Sequence, residues 1–206
     1  MKSHLRSRTN QLFLRVGCLA LLSSCGLQSI PQAKNEVDAT IAEVTNQYKR
    51  RADLIPNLVA TVQGYASHEK DTLTAVIEAR AKASSITIDP SNMSAEKLAD
   101  FQKAQGNLSQ ALGRLMVVSE NYPQLKADRN FSELQAQLEG TENRITVSRN
   151  RHIEAIKFFN NQVTVPMTSW TNSLVYHYQP LPQWNVDAAE EKIIQSAPKV
   201  DFGTKK

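Results

Sequence analysis

Cysteine is nearly absent from this 206-residue chain: Cys18 and Cys25 are its only two, and both fall in the first 25 positions. The remainder can build neither a disulfide framework nor a thiolate metal site, and it has no cysteine nucleophile. Glycine is scarce as well, seven in all, with no Gly-rich phosphate loop and no Gly-x-Ser-x-Gly elbow. His68 and Glu69 begin like an HExxH zinc helix, but Thr72 stands where the second histidine belongs, so two ligands on one helix face are missing. No metal or cofactor is implied, and a non-enzymatic protein is expected. A long hydrophobic run is lacking too: Val16 to Leu22 spans seven residues, against roughly 20 for a bilayer crossing.

That short run has a telling setting. Lys2, Arg6, Arg8 and Arg15 surround its start with no acid among them, and small residues follow it up to Cys25. A basic region, a short apolar region and a small-residue processing site are the parts of a bacterial secretory signal. The closing "LSSC", Leu22 to Cys25, is similar to a lipobox, which makes Cys25 the lipid attachment position, residues 1–24 a signal peptide and residues 25–33 a tether. Two alternatives stay open: a chance cysteine beside an ordinary cleavage point, and an uncleaved transmembrane anchor from Leu12 to Leu22 with Arg15 snorkelling. Under the lipoprotein reading Gly26 after the cysteine favours the outer membrane over the inner.

Removing the signal removes the charge imbalance. The whole chain carries 24 basic and 20 acidic residues; four of the basic ones lie in the signal, leaving twenty of each sign. The pI of about 9.1 therefore belongs to the targeting segment, and a basic surface for nucleic acid is excluded.

The rest of the chain reads as helix. Stepping alternately by four and three from Val37 meets Ile41, Val44, Tyr48, Arg51, Ile55, Leu58, Val62, Tyr65, Glu69, Thr72 and Val76; nine of these twelve are apolar, where composition alone gives about five, a heptad seam over several turns. "SSITIDPSN" breaks the pattern, and Ser94 with Glu96 starts a second helix that carries Leu98, Phe101, Leu108, Leu112 and Leu115 to a stop at Pro123. Asn130 with Glu133 resembles a capping box opening a third helix, which reaches Pro166 with Thr141, Ser148 and His152 making its seam polar in the middle. His152 is expected as a hydrogen-bonded core residue. A straight helix from Lys34 to Ala83 would be about 75 Å long, the second about 40 Å. Pro56 removes a backbone hydrogen bond, so a bend there lets the segment after it pair with the second helix.

The fold expected is all-α: an elongated antiparallel up-and-down bundle of three long helices, the first bent at Pro56, over residues 34–166. Residues 167–206, aromatic and proline-containing, add short helical segments, one capped by Asn185 or Asp187. Trp170, Tyr176, Tyr178 and Trp184 either fold back over an open bundle face or remain exposed to dock a partner.

One cluster invites a site reading. Lys49, Arg50, Arg51 and Asp53 precede Pro56, and Arg50 with Asp53 can pair on the surface. Arg51, at a seam position, points a cation inward. Arg51, Asp53, Pro56 and Asn57 are therefore the candidate hinge and polar binding site, facing Glu142, Arg144 and Arg149 of the third helix.

"RRADLIPNLV", Arg50 to Val59, "LQAQLEGTENR", Leu134 to Arg144, and the closing "PKVDFG" resemble the LemA family of bacterial envelope proteins over nearly all of the chain after the signal. Ile41 departs from the tryptophan that the family pattern calls for. The resemblance implies a helical bundle held to a membrane at its N-terminus, outside the cytoplasm, and supplies no catalytic residues. Two functions follow as expectations: a tethered scaffold or adaptor for another envelope protein, or a binder of a small ligand or cell-wall component through a polar pocket near Pro56.

Overall fold

The computed structural model describes residues 2–89 and 94–184, and side chains from Leu27 onward apart from Met167. The side chain of Cys25, the expected lipid attachment position, and the helix expected near Asn185 and Asp187 lie outside what is described. Every regular element described is helical: α1 Lys2–Tyr65, α2 Lys70–Ser85, α3 Ala95–Ser119, the single turn α4 Pro123–Lys126, α5 Arg129–Thr164 and α6 Pro166–Thr171, followed by a π-helical turn at Asn172–Tyr176. The all-α expectation holds.

Side-chain contacts set the direction of each rod. Arg80 in α2 reaches back to Ala52 in α1, Gln105 in α3 reaches Ala83 in α2, and Arg51 in α1 reaches Glu142 in α5. These pairs make α1, α2, α3 and α5 an up-down-up-down bundle in which α1 packs mainly on α5 and α2 on α3.

The chain reverses at Ala66–Glu69 and not at Pro56. α1 continues unbroken through both Pro31 and Pro56, each of which lacks the N–H that would bond the carbonyl four residues back. Those two carbonyls, Leu27 O and Ala52 O, find other donors: the Tyr176 hydroxyl at 2.6 Å and Arg80 Nε at 2.8 Å. With the orphaned acceptors satisfied, the helix loses little by passing through. The reversal instead falls where Ala66 N caps back onto Val62 O, with Tyr65 donating to Asp128 and Tyr122 to Glu69 across the far end. Both phenols are raised by those carboxylates, the hydrogen bond being the larger cause.

Caps follow the sequence in part. Ser94 Oγ accepts from Lys97 N as expected. The cap of α5 is Asp128, not Asn130: its carboxylate accepts from Phe131 N at 2.9 Å, and that bond holds its pKa below the ordinary carboxylate range.

Three apolar clusters are strung along the bundle, and polar layers separate them. The far cluster holds Leu58, Val62, Val76, Leu108, Leu115 and Phe131. The middle one holds Ile41, Val44, Tyr48, Phe101, Ile145 and Trp184. The near one, toward the start of α1, holds Ile30, Val37, Ile156 and Phe159, with Tyr176, Tyr178 and Leu181 against it. Ile30 and Ala33, placed in the tether by sequence, are buried in this core, so the bundle begins before residue 34.

Candidate functional site

Between the far and middle clusters the seam of α1 presents Arg51, with only 2% of its surface exposed. A buried guanidinium demands acceptors, and the neighbouring helices provide them. Nη1 donates to Ser109 Oγ at 2.8 Å and to Glu142 Oε2 at 2.9 Å; Nη2 donates to Gln105 Oε1 at 2.7 Å and to its backbone carbonyl at 3.2 Å. Gln105 is itself oriented by donating Nε2 to Ala83 O, a carbonyl left open at the end of α2. The guanidinium also lies 5.0 Å from the centre of the Tyr48 ring. Of the guanidinium's three nitrogens, Nε alone finds no acceptor among the described residues.

This layer opens to solvent between α3 and α5. A cavity of about 290 Å³ lies there, with Ser109, Leu112, Gly113 and Met116 along α3, Gln135, Leu138, Glu139 and Glu142 along α5, and Arg51 at its floor. Glu142 is half-exposed, so the Arg51 pair has one desolvated and one hydrated partner. One cation and two carboxylates leave the cavity acidic by one charge, over walls of Leu112, Met116 and Leu138. Such a site suits a group that is cationic at one end and apolar along its length. The Ser109 hydroxyl oxygen is held by Arg51 Nη1, which also carries the Glu142 carboxylate. Among the described residues no group of three or more His, Cys, Asp or Glu is placed to hold a metal ion.

Of the four residues grouped by sequence as the hinge and binding site, only Arg51 enters the site. Asp53, Pro56 and Asn57 are exposed; Pro56 acts at one remove, through the Ala52 carbonyl that Arg80 takes. Glu142 joins Arg51 as expected, whereas Arg144 donates to Thr141 Oγ1 on its own helix and Arg149 lies over the Trp184 ring at 5.4 Å. Gln105 and Ser109 were missed. Gln105 was legible: it occupies the step between Phe101 and Leu108, a polar seam residue in α3 matching Arg51 in α1.

A second polar layer lies between the middle and near clusters. His152 is fully buried, with Nδ1 3.0 Å from Thr40 Oγ1, as expected of a hydrogen-bonded core histidine. Burial pushes its pKa down to about 4, partly offset by the charge of Asp38. The imidazole is thus neutral at pH 7. Trp184 roofs it edge-on, its ring 6.1 Å from His152 and 6.4 Å from Phe101, and so closes the same α3–α5 gap that stands open at Arg51.

Comparison with known proteins reaches this same core. The model of the LemA family matches residues 40–202, a span that includes both polar layers and the α3–α5 opening. Protein LemA of Metamycoplasma hominis is 23% identical over 171 residues, covering 83% of this chain and 70% of that protein.

Proposed function

This chain belongs to the LemA family, and from that premise we propose that it is a membrane-tethered, non-enzymatic adaptor of the bacterial cell envelope whose binding face is the open α3–α5 side. The observation that carries the reading is the cavity over Arg51: the bundle is closed by Trp184 along one stretch of this gap and left open along the next. An acidic rim of Glu139 and Glu142 over Leu112, Met116 and Leu138 fits a lysine or arginine presented by an amphipathic segment of a protein partner, its stem on the apolar wall and its charge at the rim. The tether is the N-terminal segment, by lipid on Cys25 or by a helix through Leu12–Leu22. Among the described residues no helix is long and apolar enough to cross a membrane.

A photocrosslinking side chain at Gly113 tests the face. An added Cβ there meets nothing within 4 Å, so a side chain can leave the helix at this position without a clash at its root. In native membranes it should capture a protein that a crosslinker at Glu78, exposed on α2, does not, and Glu139→Lys with Glu142→Lys should abolish the adduct. Equal capture from both positions, or an adduct insensitive to the charge reversals, overturns the reading. A small-molecule adduct at Gly113 would instead assign the cavity to a free ligand, a reading its volume also accommodates.

A further inference from the structure

Large apolar side chains left exposed are unevenly spread. Of the ten among the described residues, Leu27, Val165, Trp170, Leu174 and Val175 lie at one end of the bundle, and Trp170 and Leu174 are the most open of these at 69% and 68%. Trp170 and Leu174 are four residues apart at the tip formed by α6 and the π-helical turn, so they share a face. Tyr176 donates to Leu27 O, which fastens this tip to the start of the described part of α1. The opposite end of the bundle, at Tyr65, is about 57 Å away along α1.

The tip is also free of acid. Between Glu154 and Asp187 the sequence has no Asp or Glu, and Lys157 is its only Lys or Arg. A segment with no negative charge, led by tryptophan and aliphatic residues, has the composition that settles at the boundary between headgroups and acyl chains. Nothing in it repels an anionic leaflet.

Position selects the occupant. If Cys25 is lipidated, the acyl chains start two residues from Leu27; if Leu12–Leu22 is an uncleaved anchor, its end lies five residues away, about 8 Å of helix. Both forms of tether bring this end, and not the Tyr65 end, to the bilayer. The geometry points to a second membrane contact: Trp170, Leu174 and Val175 rest in the headgroup boundary of the membrane that holds the tether, fixing the bundle against that surface. This rests on the tethered reading proposed above. A bundle held at two points has a defined orientation, and its α3–α5 opening then faces a fixed direction relative to the membrane.

The test reconstitutes the full chain into phosphatidylethanolamine and phosphatidylglycerol vesicles carrying brominated acyl chains. Wild type is compared with Trp170→Ser, an exposed position whose loss leaves the core intact. Wild-type emission should be quenched by the brominated lipid, and the quenched component should vanish in Trp170→Ser while the buried Trp184 emission persists. Flotation separates the two premises. A chain that floats with the vesicles but shows no Trp170 quenching keeps its tether and overturns the contact. A chain that does not float overturns both. Trp170 shielded from acrylamide in native membranes yet unquenched in the vesicles would assign the tip to a protein and overturn the lipid contact as well.

Discussion

The two halves of α1 face the same two problems and solve them with different materials. Each half contains a proline that strips a helix carbonyl of its donor, and each lies beside a titratable side chain in the core. In the far half, enclosed by α2, α3 and α5, Arg80 takes the Ala52 carbonyl and Arg51 stays charged among four acceptor contacts. In the near half, covered by α5 and the C-terminal segment, Tyr176 takes the Leu27 carbonyl and His152 stays neutral with one ring nitrogen bonded. A cation survives burial only where several helices converge to supply oxygen atoms. Where fewer elements meet, the core admits a group that can shed its charge.

The largest effect should come from breaking the far half. Arg51→Ala removes the centre of the layer and strands Gln105 in the interior, at a cost of about 3–5 kcal/mol in urea unfolding. Combining Arg51→Met with Gln105→Leu replaces the polar layer by apolar volume and should recover most of that stability. If Arg51→Ala unfolds no more easily than wild type, the layer is not what joins α1, α3 and α5.

The near half should answer to pH. His152 is held neutral in the folded protein with a pKa of about 4, against 6.5 unfolded, so between those values the unfolded chain binds more protons. Its contribution is complete above pH 6.5 and is lost as pH falls toward 4, about 3 kcal/mol in all. His152→Leu should flatten the stability curve through that window, and it leaves no orphan because the Thr40 hydroxyl already reaches the Glu36 and Val37 carbonyls. An unchanged pH profile in His152→Leu would show that the two halves do not differ in this way.

Sequence made the seams and the later breaks legible and the first turn illegible, for a physical reason. The 3–4 stepping from Val37 lands on buried residues through Val62 and again at Val76. The four-residue reversal Ala66–Glu69 is itself one step of four, so the pattern crosses it without losing phase. Only the polar run of Glu69 and Thr72 marked the break. Pro56 then took the blame for the turn, because a proline's cost is local in sequence whereas its remedy, Arg80, lies 24 residues on and reads as an ordinary helix cation. Pro31 is the same case at longer range, its remedy Tyr176 being 145 residues away. Arg51 was legible as an inward cation because its seam position is set by periodicity; Asp53 and Asn57 were grouped with it by nearness in sequence, which on a helix puts them on other faces.

The proline devices offer a third and finer test. Arg80→Ala should cost about 1–3 kcal/mol, because the Ala52 carbonyl it leaves is in a buried residue. That cost should disappear in a Pro56→Ala background, where residue 56 regains the N–H that bonds Ala52 O, so a double-mutant cycle by thermal or urea unfolding should show strong coupling between Arg80 and Pro56. Additive losses would mean that Arg80 acts through packing alone.

Tyr176→Phe is the smallest expected change and the one that sharpens the contrast between the halves. The Leu27 residue is half-exposed, so water can replace the lost hydroxyl and stability should fall by under about 1 kcal/mol. The hydroxyl nonetheless fixes where the tip sits on α1, and hydrogen exchange of the amides from Thr168 to Tyr178 should quicken while those around Arg51 stay unchanged. In the far half the carbonyl's partner holds up the fold; in the near half it holds up an orientation. A Tyr176→Phe variant as unstable as Arg80→Ala would erase that distinction and make both prolines equivalent elements of the core.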